Sequence, residues 1–435
     1  MDRRAEKSLM PKTLYLLSAR MRTTFHRIEK IDKRLLFLIL NALAIGLFFI
    51  VAFRYNYMHP DNMGRLMFTT PDTKQYRAVA DWLFGKTATV PFATTLRPLL
   101  YPLLLGGVRQ ISDNPYMFWA VQFLLWLAAI NLTALAAYRF THRLLAFVIA
   151  FTLMMINVST MALTFYALTE TLVIFLLAVW LVLLSTSDLH NLKVRDYFWL
   201  SFMLALLTIT KPIFQLPLII VVTYAIVKNL RQFKKNLVIA IGLTPVLIQI
   251  LFNANVNGMV GISNITDYTV KWYLLPQVYQ VRTSISLDDA RSQVKNFDTA
   301  QTIGYLLEDV KITTSAFLQN VGENMTGACE VFGYYPKPYY FTRLTSIAYL
   351  VLQFLLIPAI VFLFVKRQGS FNLPLKLIYL FSFLIIFTSG ISFNEGDRLV
   401  IIALPLWIIL YTCVPIVLLE YSNSKQLIAP AYSPS

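Results

Sequence analysis

Apolar runs about one bilayer long recur along this chain, most of them stopped by lysine or arginine. Leu35 to Phe53 is the cleanest. A helical span needs roughly 20 apolar residues. Inside hydrocarbon the backbone must satisfy its own hydrogen bonds, which leaves helices or closed barrels. Runs of this length point to an all-α integral membrane protein. Composition agrees. Of 435 residues 57% are hydrophobic and 14% charged, whereas a soluble domain carries about a quarter charged residues. The mean hydropathy is +0.61. There are 38 Lys and Arg against 22 Asp and Glu. In a soluble protein that excess would suggest nucleic acid. Here the basic residues sit mostly between apolar runs, where they set orientation, and no nucleic-acid partner is expected.

Arg3, Arg4, Lys7, Lys12, Arg20, Arg22, Arg27, Lys30, Lys33 and Arg34 precede the first run. They place segment 1–34 in the cytoplasm. Pro11 to Lys30 reads either as an amphipathic surface helix or as a solvated basic tail. No cleavable signal peptide is expected, because the first run starts deep and is long. The membrane domain covers 35–252. Its first outer loop, 54–115, holds Pro98 to Val108, which is too short to cross and is read as an interfacial or re-entrant helix. Tyr116 to Ala137 crosses and ends at Arg139 and Arg143. Leu144 to Ser185 is about twice a bilayer at 1.5 Å per residue. It is expected to form a hairpin turning near Asn157, with Glu170 about two to three turns into the returning helix. Tyr197 to Val227 has basic residues on both flanks, which implies two short helices broken at Thr210-Lys211-Pro212. Leu237 to Phe252 then crosses outward. A large outer loop, 253–343, includes an amphipathic helix over Ser284 to Val310 with Ser286 as N-cap. Segment 344–420 carries the last spans, and 421–435 is a cytoplasmic tail. The count is about ten spans with both termini inside.

The polar stretch of the first outer loop stands out against this background. It contains Asp72-x-x-x-Tyr76-x-x-x-Ala80, then Arg97-Pro98 and Tyr101-Pro102-Leu103-Leu104. Thr169-Glu170-Thr171-Leu172, Thr210-Lys211-Pro212 and Glu395-Gly396-Asp397-Arg398 before Pro405 follow in order. This ordered set resembles the GT-C superfamily of multi-span glycosyltransferases, which use sugars carried on polyprenyl phosphate. The likeness spans most of the membrane domain and extends to members that transfer aminoarabinose or mannose. It departs from the family in having Lys211 where arginine is commoner. It implies a GT-C-like fold and an inverting transfer from a polyprenyl-phosphate donor to a lipid-linked or cell-surface glycan, at the outer face of the cell membrane.

The resemblance implies that Asp72 is the catalytic base. A carboxylate can take the acceptor hydroxyl's proton, although Thr70-Pro71-Asp72 also reads as a plain helix start. Arg97, Arg398, Lys211 and Lys74 are candidates for the donor phosphate, since cations complement it and arginine can do so with two hydrogen bonds. A snorkelling headgroup contact is the alternative. Tyr76, Tyr101, Glu170 and Glu395 are candidates for sugar or acceptor contacts. Against that stand an aromatic belt, a structural hydrogen bond at Glu170, and an ion pair of Glu395 or Asp397 with Arg398. Tyr334, Tyr335, Tyr339 and Tyr340 are also read as belt residues. Asp61 and Asp81 share the first loop, but their spacing is not a metal motif. No cofactor is expected, and a divalent metal is the less favoured option. His59 reads as a loop residue. Asn264-Ile265-Thr266 and Asn324-Met325-Thr326 fit a glycosylation pattern, and Cys329 and Cys413 are not expected to pair. Membrane lipids are expected partners, and oligomeric state is open. Two other functions fit a chain of this kind. One is a lipid-linked oligosaccharide polymerase or ligase, though its large loop relies on Arg and His, and 253–343 has no His and few Arg. The other is a transporter or flippase of a lipid-linked sugar, hinted at by Glu170 and Lys211.

Overall fold

The computed structural model describes residues 31–189, 191–327, 344, 347–349, 351–352, 354–358, 360–361, 372–393 and 395–428. Residues 1–30 of the basic segment, Cys329, the tyrosine-rich run 333–341 and residues 429–435 of the 421–435 tail lie outside these residues, while 421–428 continue the last helix. All elements among the described residues are helical.

The first membrane helix, α1, is Lys33–Arg54, and the Asp32 side chain caps it by accepting from the Arg34 N–H at 2.8 Å. Its outward face keeps Leu38 and Ile50 64% and 66% exposed. A contiguous apolar face of this kind is stable against lipid rather than water. Two short loop helices follow, α2 (Pro60–Phe68) and α3 (Pro71–Leu83). Next come α4 (Leu100–Ile111) and the long α5 (Pro115–Thr141). The expected non-crossing helix near Pro98 to Val108 is α4.

The run from Leu144 to Ser185 departs from a plain hairpin. It forms α6 (Leu144–Met155), α7 (Val158–Leu163) and α8 (Glu170–Thr186), with an irregular stretch at 164–169. Asn157 does turn the chain, its side chain accepting from the Thr160 N–H. The returning helix starts only at Glu170, so that residue lies in its first turn rather than two or three turns in. The buried irregular backbone finds side-chain donors. Gln122 of α5 reaches the carbonyls of Thr164 and Tyr166 at 3.0 and 2.8 Å, and Thr73 of α3 reaches that of Ala167 at 3.3 Å. Non-helical backbone at this depth needs such partners.

The next break falls where the sequence places it. α9 (Val194–Thr208) ends before Lys211, Pro212–Phe214 form one 3-10 turn, and α10 (Gln215–Lys228) follows. Lys211 has the extended backbone expected before proline, at φ −143° and ψ 114°. The apolar run from Leu237 to Phe252 is itself bent by 52° between α11 (Phe233–Gly242) and α12 (Thr244–Asn257). Gly242 lets α11 approach α9 closely: a Cβ there would lie 2.1 Å from the Ser201 hydroxyl oxygen.

The segment after α12 contains Ile265–Thr269, Leu275–Thr283, Leu287–Val294, Thr299–Glu308 and Val310–Thr326 (α13 to α17). Ser286 is an N-cap as expected. The stretch from Ser284 to Val310 is nevertheless two helices, because Asp298 starts the second one in a capping box with Gln301. Asn372–Thr388 (α18) and Leu404–Ile428 (α19) complete the set.

Among the described residues, four helices are long and apolar enough to cross a bilayer, or five if the bent pair counts as one span. Several apolar runs are divided by caps and prolines into helices of 10 to 17 residues.

Candidate functional site

Six charged side chains meet where the first loop, the start of α8, the break between α9 and α10 and the turn before α19 converge. Thr70 caps α3, accepting from the Thr73 N–H at 3.1 Å, with Pro71 in the first turn. Asp72 is thereby relieved of capping and faces inward. Its Oδ1 accepts from Arg97 Nη2 and its Oδ2 from Arg398 Nη2. Arg398 Nε also donates to Glu170 Oε1 at 2.8 Å, and its Nη1 to Glu395 Oε2 at 3.2 Å. Lys211 Nζ donates to the same Glu170 Oε1 at 2.9 Å. Three cations and three carboxylates form one chain of pairs from Arg97 to Lys211, with Glu395 as a branch from Arg398.

Each member is held by the local fold. Arg97 follows a 3-10 turn, and the backbone beside it is tied to distant segments. Ser263 donates to the Leu96 carbonyl at 2.6 Å, and Gln249 accepts from the Leu99 N–H at 2.8 Å. Gln75 accepts from Arg97 Nε at 2.8 Å, and the Tyr76 ring lies 4.8 Å from the guanidinium carbon. Arg398 sits in the 3-10 turn Gly396–Leu399. The neighbouring Asp397 fixes that turn through an N–H bond to the Gly327 carbonyl at 3.0 Å and by accepting from the Ser159 hydroxyl. Glu170 is fully buried. Asp72 is the most open member, at 25% side-chain exposure.

Burial alone would push the Asp72 carboxyl up, but the two guanidinium groups outweigh it and hold it well below the usual carboxylate range. Burial lowers Arg97, and Asp72 more than restores it. The Glu395 carboxyl goes the other way. Burial raises it, and Arg398 compensates only in part. Tyr273 donates to Glu395 Oε1 at 3.3 Å.

Eight of the nine candidate residues named above therefore lie in or against one site. Tyr101 packs edge-on to Tyr76 at 4.9 Å between ring centroids. Lys74 is the exception. It is exposed on a different face of α3 from Asp72, because two residues along a helix turn the side chain by about 200°. It drops out as a phosphate ligand of this site. Glu170 Oε2 and the Tyr101 hydroxyl are buried with no hydrogen-bond partner. Gln75 and Tyr273 do not stand out in the sequence as contributors to the site, and Asp397 is read there only as an ion-pair partner for Arg398. Gln75 lies one turn from Asp72 and Asp397 adjoins Arg398 in sequence, whereas Tyr273 left no signal.

Other sequence features resolve differently. Asp81 receives the nearly buried Arg109 at 2.6 Å and clamps α3 to α4, so it is structural rather than a spare loop carboxylate. Asn324 is fully buried and donates to the carbonyls of Ser389 and Ser392, which removes it as a glycan acceptor; Asn264 is exposed. His59 lies at the surface, 3.5 Å from Asp61. Among the described residues no three His, Cys, Asp or Glu side chains group as metal ligands would. No protein-family model, curated protein or solved structure matches this chain, so the site is read from its own geometry.

Proposed function

We infer that the chain is a membrane glycosyltransferase acting on a polyprenyl-phosphate-linked sugar. The observation that carries the reading is the convergence of Asp72, Arg97 and Arg398. They come from segments up to 326 residues apart and meet at one end of an apolar helical bundle. Two guanidinium groups side by side suit a phosphodiester. Lys211 and Glu170 hold Arg398 from behind. The unpartnered Glu170 Oε2 and Tyr101 hydroxyl are atoms that sugar hydroxyls would satisfy.

In this reading an acceptor hydroxyl attacks the anomeric carbon while the bond from that carbon to the phosphate oxygen breaks. Asp72 takes the hydroxyl proton. The electron pair leaves with polyprenyl phosphate, whose new charge Arg97 and Arg398 stabilise. Attack opposite the leaving group inverts the anomeric centre. The acceptor is a lipid-linked or surface glycan. The reading includes about ten crossings in all, with the shorter helices and the bent pair crossing as broken spans lining a cavity. It also places both termini in the cytoplasm and the site at the outer face of the cell membrane. Glu170 and Lys211, the hints of a transporter, pair with each other, and Glu170 also pairs with Arg398.

The test is transfer of label from a panel of polyprenyl-phospho-sugars by purified protein. Asp72→Asn should lower turnover by about 10² to 10⁴, the usual worth of general base catalysis. Near wild-type turnover in that variant would remove the proposed base.

A further inference from the structure

The six charges of the site balance, and this restricts how an anion enters. Arg97, Lys211 and Arg398 face Asp72, Glu170 and Glu395. A phosphate arriving among them adds negative charge to a formally neutral, poorly hydrated cluster. It cannot share the guanidinium groups with the carboxylate already bridging them, because like charges at such distances repel strongly. One carboxylate has to leave.

The geometry identifies which one. Glu170 is sealed, at 0% exposure, and holds both Lys211 and Arg398 through one oxygen. Its departure would strand Lys211 and take a partner from Arg398. Glu395 touches Arg398 alone among the cations, at 3.2 Å, so its departure would leave Arg97 occupied. Asp72 bridges both arginines, one oxygen to each, and is the most exposed of the three. The two unesterified oxygens of a phosphodiester can take the places of its two carboxylate oxygens. Asp72 sits in the first turn of α3, where rotation about its own side-chain bonds carries the carboxylate toward solvent without moving the helix.

We propose that Asp72 is an internal counter-anion occupying the phosphate site, and that a polyprenyl phosphate group displaces it from Arg97 and Arg398. This rests on reading the site as one for a phosphate-linked donor, and it adds an order of events. While both guanidinium groups hold Asp72, its carboxyl is a poor proton acceptor. The donor that displaces it also restores its basicity. The base is therefore switched on only when the donor is bound, and the donor binds before proton transfer to Asp72 can occur. Glu170 and Lys211 stay in place throughout and keep Arg398 aimed.

The exchange has a signature that a plain base or a plain structural ion pair lacks. Removing a competing anion raises affinity for the ligand. A site competent in only about one molecule in ten binds roughly ten-fold more weakly than its intrinsic affinity, and losing the competitor removes that penalty. Full-length protein in nanodiscs is titrated with polyprenyl monophosphate, with phosphate-free polyprenol, and with inorganic phosphate. Asp72→Asn should bind polyprenyl monophosphate roughly ten-fold more tightly than wild type, with polyprenol unchanged. A parallel gain for inorganic phosphate would assign the exchange to the phosphate itself, and a gain for the lipid alone would show that the chain must anchor it. Unchanged or weaker binding of polyprenyl monophosphate by Asp72→Asn overturns the proposal.

Wild type offers a second measurement, should that variant not insert. Carbodiimide labelling of Asp72, referenced to the exposed Asp61, should rise several-fold on adding polyprenyl monophosphate. Protection, or no change, counts against displacement. Exchange without transfer from any sugar donor would leave this inference standing and remove the glycosyltransferase reading. Transfer without tighter binding in Asp72→Asn would do the reverse.

Discussion

Replacing Glu170 by glutamine isolates the buried centre of the ion chain. Glutamine keeps the shape and an oxygen acceptor but removes the charge. Glu170 is at 0% exposure, and its Oε1 serves Lys211 at 2.9 Å and Arg398 at 2.8 Å. The two cations lose unequally. Arg398 keeps Asp72 and Glu395, whereas Lys211 keeps no other ion-pair partner among the described residues. A unit pair about 4 Å apart is worth about 4 kcal/mol at an effective dielectric of 20. Removing one partner of a buried pair costs about 3–5 kcal/mol. Glu170→Gln should therefore destabilise by about 3–5 kcal/mol, with most of the loss at Lys211. Adding Lys211→Met should recover about half or more, because it removes the stranded cation. The assay is unfolding in mixed micelles titrated with a denaturing detergent, on wild type, both single variants and the double. A loss under about 1 kcal/mol in Glu170→Gln, or a double variant no more stable than the single, would refute the argument.

Asp81→Asn should also destabilise, by about 1–3 kcal/mol, because it leaves the nearly buried Arg109, which joins α3 to α4, with only the exposed Asp113 as a carboxylate partner; mixed-micelle unfolding checks this, and a neutral result would return Asp81 to the spare carboxylates of the loop. The folded carboxyl of Asp72 is held below its unfolded value, so its contribution to stability is fully present above about pH 4 and is lost as pH falls toward the folded value. The stability difference between wild type and Asp72→Asn should accordingly hold steady above about pH 5 and narrow below about pH 4; a difference that stays constant to about pH 3 would show that Asp72 is not held by its arginines.

The elements of this protein were legible wherever a single physical rule sufficed. Leu35 to Phe53 is apolar over a bilayer's length and becomes α1. The break at Thr210-Lys211-Pro212 follows from proline chemistry and from basic flanks on both sides, and it appears at that place. Ser286 caps a helix because a serine before two aspartates has few other uses. The failures share a cause. Leu144 to Ser185 reads as two spans because hydropathy cannot see Gln122 or Thr73. Those side chains, from α5 and α3, make an irregular stretch at 164–169 affordable and move the helix start to Glu170. Lys74 and Arg97 are both loop cations that the sequence offers to the donor phosphate. The position of Lys74 on α3 relative to Asp72 separates them.

The sequence by itself determined the class of molecule and nearly all the ingredients of the site. Apolar run length, basic flanks and a few polar residues in apolar surroundings are local properties, and burial in lipid makes each one costly enough to notice. Only the tertiary structure decided how the ingredients pair. Asp72 and Arg398 are 326 positions apart, and no periodicity or spacing relates them. Their meeting depends on where Thr70 starts α3, on Ser159 and Gly327 holding Asp397, and on Glu170 opening α8 rather than lying within it. Charge pairing in a buried cluster depends on distances of a few ångströms, and those are set by the packing of distant segments.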